Sequence, residues 1–152
     1  MEEKKVIRKQ IFAARKTYTD QQIEEMSKKI TERLETLPEF QNAQRILAYA
    51  DYNHEVMTGF IIEAAWKAGK EVAVPKVVGQ DMVFYKLTDF LQLEKGYFGI
   101  PEPARGEIVQ WEEAMMVMPG VAFDFQILPE VPTEPTDISP QLIVTESKVY
   151  QM

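Results

Sequence analysis

Near the start of the chain apolar residues recur at helical spacing, at Val6, Ile7, Ile11 and Ala14, while Lys4, Lys5, Arg8, Lys9, Arg15 and Lys16 load the remaining surface. The pattern predicts a basic amphipathic helix over residues 4–16. Thr19 followed by Gln22 is a capping-box signature, and Ile23, Met26, Ile30, Leu34 and Leu37 mark the buried face of a second helix stopped near Pro38. Residues 45–50, Arg-Ile-Leu-Ala-Tyr-Ala, read as a buried strand whose carboxyl end carries the polar Asp51-Tyr52-Asn53. A helix over 58–68 follows, Gly69 ends it, and Glu71–Pro75 supplies the next strand. Strand, helix and strand at this spacing make a β-α-β unit with parallel strands.

Further along, Met82–Leu87 alternates weakly, as an edge strand would, Asp89–Leu93 fits a helical turn, and Gly96–Pro103 reads as a constrained loop. Ala114–Met118 predicts a third core strand, with Met115, Met116 and Met118 as core filling. A last apolar run, Leu142–Thr145, arrives after a stretch holding Pro129, Pro132, Pro135 and Pro140. Only Pro119–Asp124 separates strand 114–118 from the run 125–128, whereas a parallel crossover needs a dozen or more residues. Either those runs are not parallel neighbours, or a piece of chain is missing between Phe123 and Phe125.

Composition narrows the chemistry. The 152 residues match one average domain, and 17 Lys+Arg against 24 Asp+Glu give a net charge of −7, so no general field draws the chain to nucleic acid or to an anionic membrane. The absence of cysteine removes disulfides, thiolate nucleophiles and Cys-based metal sites, and suits a cytoplasmic address. No apolar run is long enough for a membrane span, and the charged first twenty residues lack the apolar core of a secretory signal. His54 is the sole histidine and no Gly-x-Ser-x-Gly elbow exists, which disfavours a nucleophilic hydrolase. Neither standard glycine-rich phosphate loop is present.

Three places can carry chemistry. Lys4 and Arg8 share a helix face and, with Lys5 and Lys9, could hold a polyphosphate; a solvated helix surface, or one docking an acidic partner, is the plainer reading. Asp51-Tyr-Asn-His-Glu55 follows a strand's carboxyl end, where open α/β sheets place ligands, and Glu55 could accept a ligand's N–H groups. A polar turn that merely starts the next helix explains the same residues. Tyr97 and Phe98 could offer an aromatic face to a planar ligand or simply cover core.

Taken together, several segments resemble the 5-formyltetrahydrofolate cyclo-ligase family. They are Lys4-Lys5-x-x-Arg8-Lys9, His54-Glu55-Val-x-Thr58, Ala68-Gly-Lys-Glu-Val-Ala-Val-Pro-Lys76, Gly99-Ile-Pro-Glu-Pro103, Met118-Pro-Gly-Val-Ala-Phe-Asp124, Phe125-Gln126, Val131-Pro-x-Glu-Pro-x-Asp137 and Val144-Thr-Glu146. The resemblance implies a single α/β domain over residues 1–152, a three-layer sandwich around a mostly parallel, Rossmann-like sheet. It also implies a cytoplasmic, monomeric enzyme that uses ATP and Mg2+ to turn 5-formyltetrahydrofolate into 5,10-methenyltetrahydrofolate, with neither nucleic acid nor membrane as a partner. By matching position, Lys4, Lys5 and Arg8, with Val6 and Ile7 between them, look like the ATP contact. Ala50, Tyr52 and Glu55 look like the folate side, Phe98 flanks the pterin, Asp137 matches a magnesium ligand, and Lys76 and Phe123 are further candidates near the cleft.

The chain departs from the family where an Arg-x-Gly-x-Gly-x-Gly-Tyr-Tyr-Asp loop, a helix and a strand are expected before Phe125-Gln126. The catalytic groups are expected in that segment of about thirty to forty-five residues. A chain without it is expected to be a non-catalytic folate-binding relative.

Overall fold

The computed structural model describes residues 2–96, 99–117, 121–127 and 142–151. Helix α1 spans Glu2–Lys16, and its apolar positions are at most half-buried, with Val6 53% exposed, so it lies at the periphery. Helix α2, Asp20–Glu35, begins with the expected capping box: the Gln22 amide donates to Thr19 Oγ1 at 3.1 Å and the Thr19 amide to Gln22 Oε1 at 2.8 Å. Its inner face buries Ile23, Ser27, Ile30, Thr31 and Leu34. Pro38 does more than stop it. It occupies the first turn of a short helix α3, Pro38–Asn42, where its missing N–H costs nothing.

Strand β1 is only Arg45–Leu47, shorter than the apolar run 45–50 suggests. The Ala48 amide still donates to the Ala73 carbonyl at 2.9 Å, but the Tyr49 carbonyl leaves the ladder to accept the Thr58 hydroxyl. Helix α4, Gly59–Lys67, buries Ile61, Ile62 and Ala65, and the chain turns at Gly69, φ +77, into β2, Glu71–Val78. β1 and β2 pair in parallel with Ile46 opposite Val72, completing the expected unit. Both residues are fully buried, each contributing about 2 kcal/mol relative to exposure.

β2 runs through Pro75, which the sequence places at its end. The register explains this: β1 pairs with residues 71–73 alone, so one edge of β2 has no β1 partner at Pro75 and no ladder donor is needed there. Strand β3, Asp81–Lys86, returns antiparallel after the Gly79-Gln80 turn. It is not the edge of the sheet. A two-residue strand beyond it, Ile108–Val109, pairs antiparallel with Phe84 and Tyr85. The stretch expected as a loop contains a hairpin, β4 (Leu93–Lys95) against β5 (Pro101–Pro103), which makes Ile108–Val109 β6. β7, Met115–Met116, pairs parallel with β1. The five-stranded order is β6-β3-β2-β1-β7; four of the strands point one way and β3 alone is reversed. Met115 packs on the core, but Met116 is 56% exposed and fills none of it; Met118 lies outside the described residues.

The run beginning at Phe125 is not a strand. Asp124–Gln126 is a 3-10 turn closed by the Gln126 amide on the Phe123 carbonyl at 2.9 Å, and Phe125 stacks between Tyr18 and Phe123. The described residues from Phe125 on therefore make no strand beside β7. Val121 instead bridges in parallel to Val144 of β8, Leu142–Val144, which forms a hairpin with β9, Val149–Gln151. Among the described residues no helix is long and apolar enough to cross a membrane.

Candidate functional site

The carboxyl ends of β1, β2 and β7 face the same side, and the loop 48–58 leaves β1 there. Open α/β sheets bind ligands at this position because loops, not side-chain-filled layers, cover it. One buried residue organises the loop. Thr58 donates through its hydroxyl to the Tyr49 carbonyl at 2.5 Å, and its amide donates to Asp51 Oδ1 at 3.0 Å. Its hydroxyl is thus spent backwards on the loop and does not cap α4. The Met57 amide donates to Ser27 Oγ at 2.8 Å, which docks the end of the loop on α2.

Between these anchors Tyr52–Glu55 forms a tight turn with Asn53 and His54 in the left-handed region, φ 49 and 58. The Glu55 amide donates to the Tyr52 carbonyl at 3.2 Å, and Glu55 Oε1 accepts the Tyr52 amide at 2.8 Å. Glu55 Oε2 has no hydrogen-bond partner among the described residues, leaving an oriented acceptor at the strand end. Burial pushes the Glu55 carboxyl above the usual carboxylate range, against the pull of the Tyr52 amide and of Arg15. Asp51 is pushed up the same way, with the Thr58 contacts opposing. Burial, then the nearby charges of Glu55 and Asp51, push the Tyr49 phenol up, so it stays protonated.

Tyr52 is brought to a second candidate segment. Gly99, φ +76, lies so close that a Cβ there would sit 3.5 Å from the Tyr52 hydroxyl. The start of the 99–103 segment thus lies against the strand-end turn, and Ala50, between Tyr49 and Asp51, is half-buried. Phe98 and Asp137 lie outside the described residues. Lys76 sits three residues beyond the β1 register partner Ala73, on the same carboxyl side, with its ammonium 5.9 Å from the Tyr85 ring. Phe123 is fully buried beneath Phe125, so it touches core and cannot present a face to a ligand.

The cationic group is placed differently. Lys5, Val6 and Arg8 are exposed, and Lys4 and Ile7 are half-buried, on the first turns of α1. α1 meets the loop at its other end, where Phe12 and Lys16 line a cavity of about 190 Å³ with Asn53 and His54. Arg8 is about 10 Å along the helix from Arg15. Arg15, whose charge reaches both Glu55 and Tyr49, counts in the sequence only as one of the helix cations and not as a site residue, and Thr58 is not marked there as an organiser. Only its seven-residue spacing from Arg8, on the same helix face, hints at Arg15. Among the described residues no group of three or more His, Asp or Glu could hold a metal ion.

Residues 1–126 match the 5-formyltetrahydrofolate cyclo-ligase family. A Schizosaccharomyces pombe protein described as a probable 5-formyltetrahydrofolate cyclo-ligase is 30% identical over 114 residues, covering 69% of this chain. The chain spans 55% of the length of that relative. The solved structure of Aquifex aeolicus 5,10-methenyltetrahydrofolate synthetase superposes with a TM-score of 0.85 at 26% identity, covering 97% of this chain and 92% of that one. A Mycoplasma pneumoniae 5,10-methenyltetrahydrofolate synthetase, 16% identical, shares the fold with a TM-score of 0.65 over 94% of this chain and 98% of its own.

Proposed function

Because the chain belongs to the 5-formyltetrahydrofolate cyclo-ligase family, we propose that it converts 5-formyltetrahydrofolate into 5,10-methenyltetrahydrofolate, consuming ATP with Mg2+ and releasing ADP and phosphate. The observation that carries this reading is Glu55, held by the Tyr52 amide at the carboxyl end of β1 with one oxygen left to accept a ligand's N–H. Ala50, Tyr52 and Phe98 complete the folate side. Lys4, Lys5 and Arg8, with Val6 and Ile7, take the ATP phosphates, and Asp137 supplies the carboxylate toward magnesium. The substrate's formyl oxygen is a poor leaving group until it receives the γ-phosphoryl group. N10 then attacks the activated carbon and closes the ring, and loss of the N10 proton with cleavage of the carbon–oxygen bond to phosphate leaves the methenyl bridge. The protein's share is to orient folate and phosphate and to balance charge. The enzyme is cytoplasmic and monomeric in this reading.

The reading includes a glycine-rich segment between Phe123 and Phe125 that completes the triphosphate site. The closed turn over Asp124–Gln126 favours a second reading, a folate-binding relative that does not turn over ATP. Intact mass divides the two. A mass several kilodaltons above 17.6 kDa, together with ATP-dependent appearance of methenyltetrahydrofolate absorbance, is expected of the enzyme. The larger protein failing to turn over would refute it, and a mass of 17.6 kDa with folate binding but no ATP binding would establish the second reading.

A further inference from the structure

Asn53 and His54 hold left-handed conformations that non-glycine residues rarely adopt, and something must keep the Tyr52–Glu55 turn in that shape. The His54 ring reaches out of the turn to two helices. Its Nδ1 lies 3.0 Å from the Arg15 carbonyl in the last turn of α1, and its Nε2 lies 2.7 Å from Asp20 Oδ1 at the first residue of α2. A carbonyl oxygen only accepts hydrogen bonds, and so does an ionised carboxylate. Both contacts are therefore hydrogen bonds only when both ring nitrogens carry protons. Either neutral tautomer sets a ring lone pair against an oxygen lone pair at one of the two positions.

We propose that His54 is a positioning residue whose imidazolium form latches the Glu55 turn to the ends of α1 and α2, so that losing its proton loosens the turn and weakens binding of N–H-bearing ligands at Glu55. The proposal rests on the reading of Glu55 as the folate-side acceptor. The groups around the ring are mixed. Asp20 from α2 and the negative end of the α1 dipole favour the cation; the positive end of the α2 dipole at Asp20, and the charges of Arg15 and Lys16 from α1, oppose it, while Asp51 and Glu55 are the acidic groups of its own loop. The Arg15 carbonyl first, and Asp20 next, hold the imidazole above its ordinary range. A raised value in the folded state means the latch is complete below the ordinary histidine range and is lost as pH rises through the raised one. Asp20 is almost fully exposed, which keeps the effect modest.

Since the chain has one histidine, its ring resonances identify themselves in an NMR titration from about pH 5.5 to about pH 9. The ring is expected to titrate above its ordinary range, with the Tyr52 amide shift following it. Calorimetry with 5-formyltetrahydrofolate alone should give a Kd rising about two- to fivefold over the same interval. His54→Gly suits φ +58 and keeps the turn backbone, so it should bind at the weaker value with a flat profile; a purely conformational role would be unharmed by this change. Asp20→Asn should move the inflection to lower pH. A ring that titrates at or below its ordinary range, or equal pH slopes in the wild type and His54→Gly, overturns the latch. A latch that titrates as expected while folate binds at no pH overturns the Glu55 reading instead, and with it the ligand half of this proposal.

Discussion

Glu55→Gln separates the two oxygens of the carboxylate. In the wild type Oε1 accepts the Tyr52 amide at 2.8 Å, and an amide oxygen in its place can go on accepting, so the turn keeps its internal bond. Oε2 becomes an NH2 group that donates and cannot accept. A ligand N–H that met a carboxylate oxygen now meets another donor, with the loss of one charge-assisted hydrogen bond, about 1.5–3 kcal/mol. That corresponds to a Kd for 5-formyltetrahydrofolate weaker by roughly ten- to 150-fold. Calorimetry should show this loss for folate, with ATP affinity unchanged and a urea midpoint at neutral pH no lower than that of the wild type, since burial already disfavours the Glu55 charge. Glu55→Ala should lose as much affinity and also stability, because the Tyr52 amide is left without its acceptor. A Glu55→Gln protein within twofold of the wild type for folate, or one weakened equally for ATP, would refute the assignment.

Arg8→Ala should do the reverse, weakening ATP by about 1 kcal/mol, roughly fivefold, with folate affinity intact; equal effects on both ligands would contradict its place among the phosphate contacts. Thr58→Val removes a fully buried hydroxyl and strands the Tyr49 carbonyl, so urea unfolding should show a loss of about 1–3 kcal/mol, with Thr58→Ser much closer to the wild type. The idea fails if the serine and valine variants are equally destabilised. Asp51 has its carboxyl pushed up by burial, so the folded protein holds that proton more tightly than the unfolded chain, and stability falls as pH rises from the ordinary aspartate range through the raised value. Asp51→Asn, which keeps an oxygen for the Thr58 amide, should flatten that slope and be no less stable than the wild type at neutral pH. An unchanged slope would exclude Asp51 as its source.

Much of the fold was legible because it is local. The capping box at Thr19 and Gln22, the α2 face through Ile23, Ile30 and Leu34, the Gly69 stop and the parallel unit around α4 follow from spacing and side-chain chemistry a few residues apart. The candidate site was legible as a place, the polar residues after β1, and Glu55 was legible as its carboxylate. Where local reading failed, a partner distant in sequence had intervened. β1 ends early because the Thr58 hydroxyl takes the Tyr49 carbonyl, β2 runs through Pro75 because β1 has already stopped, and β3 is covered by the two residues of β6.

The sequence by itself determined the class of the protein: an acidic, cysteine-free α/β chain with cations gathered on its first helix and a carboxylate beyond its first strand. Only the tertiary structure decided which groups meet that carboxylate. Arg15 and Asp20, some forty and thirty-five residues before Glu55, reach the loop because the corner between α1 and α2 folds against it, and Gly99 reaches Tyr52 because the β4–β5 hairpin returns there. Periodicity records which face of an element is buried. It carries no record of which distant element buries it, and the electrostatics of this site depend on that second fact.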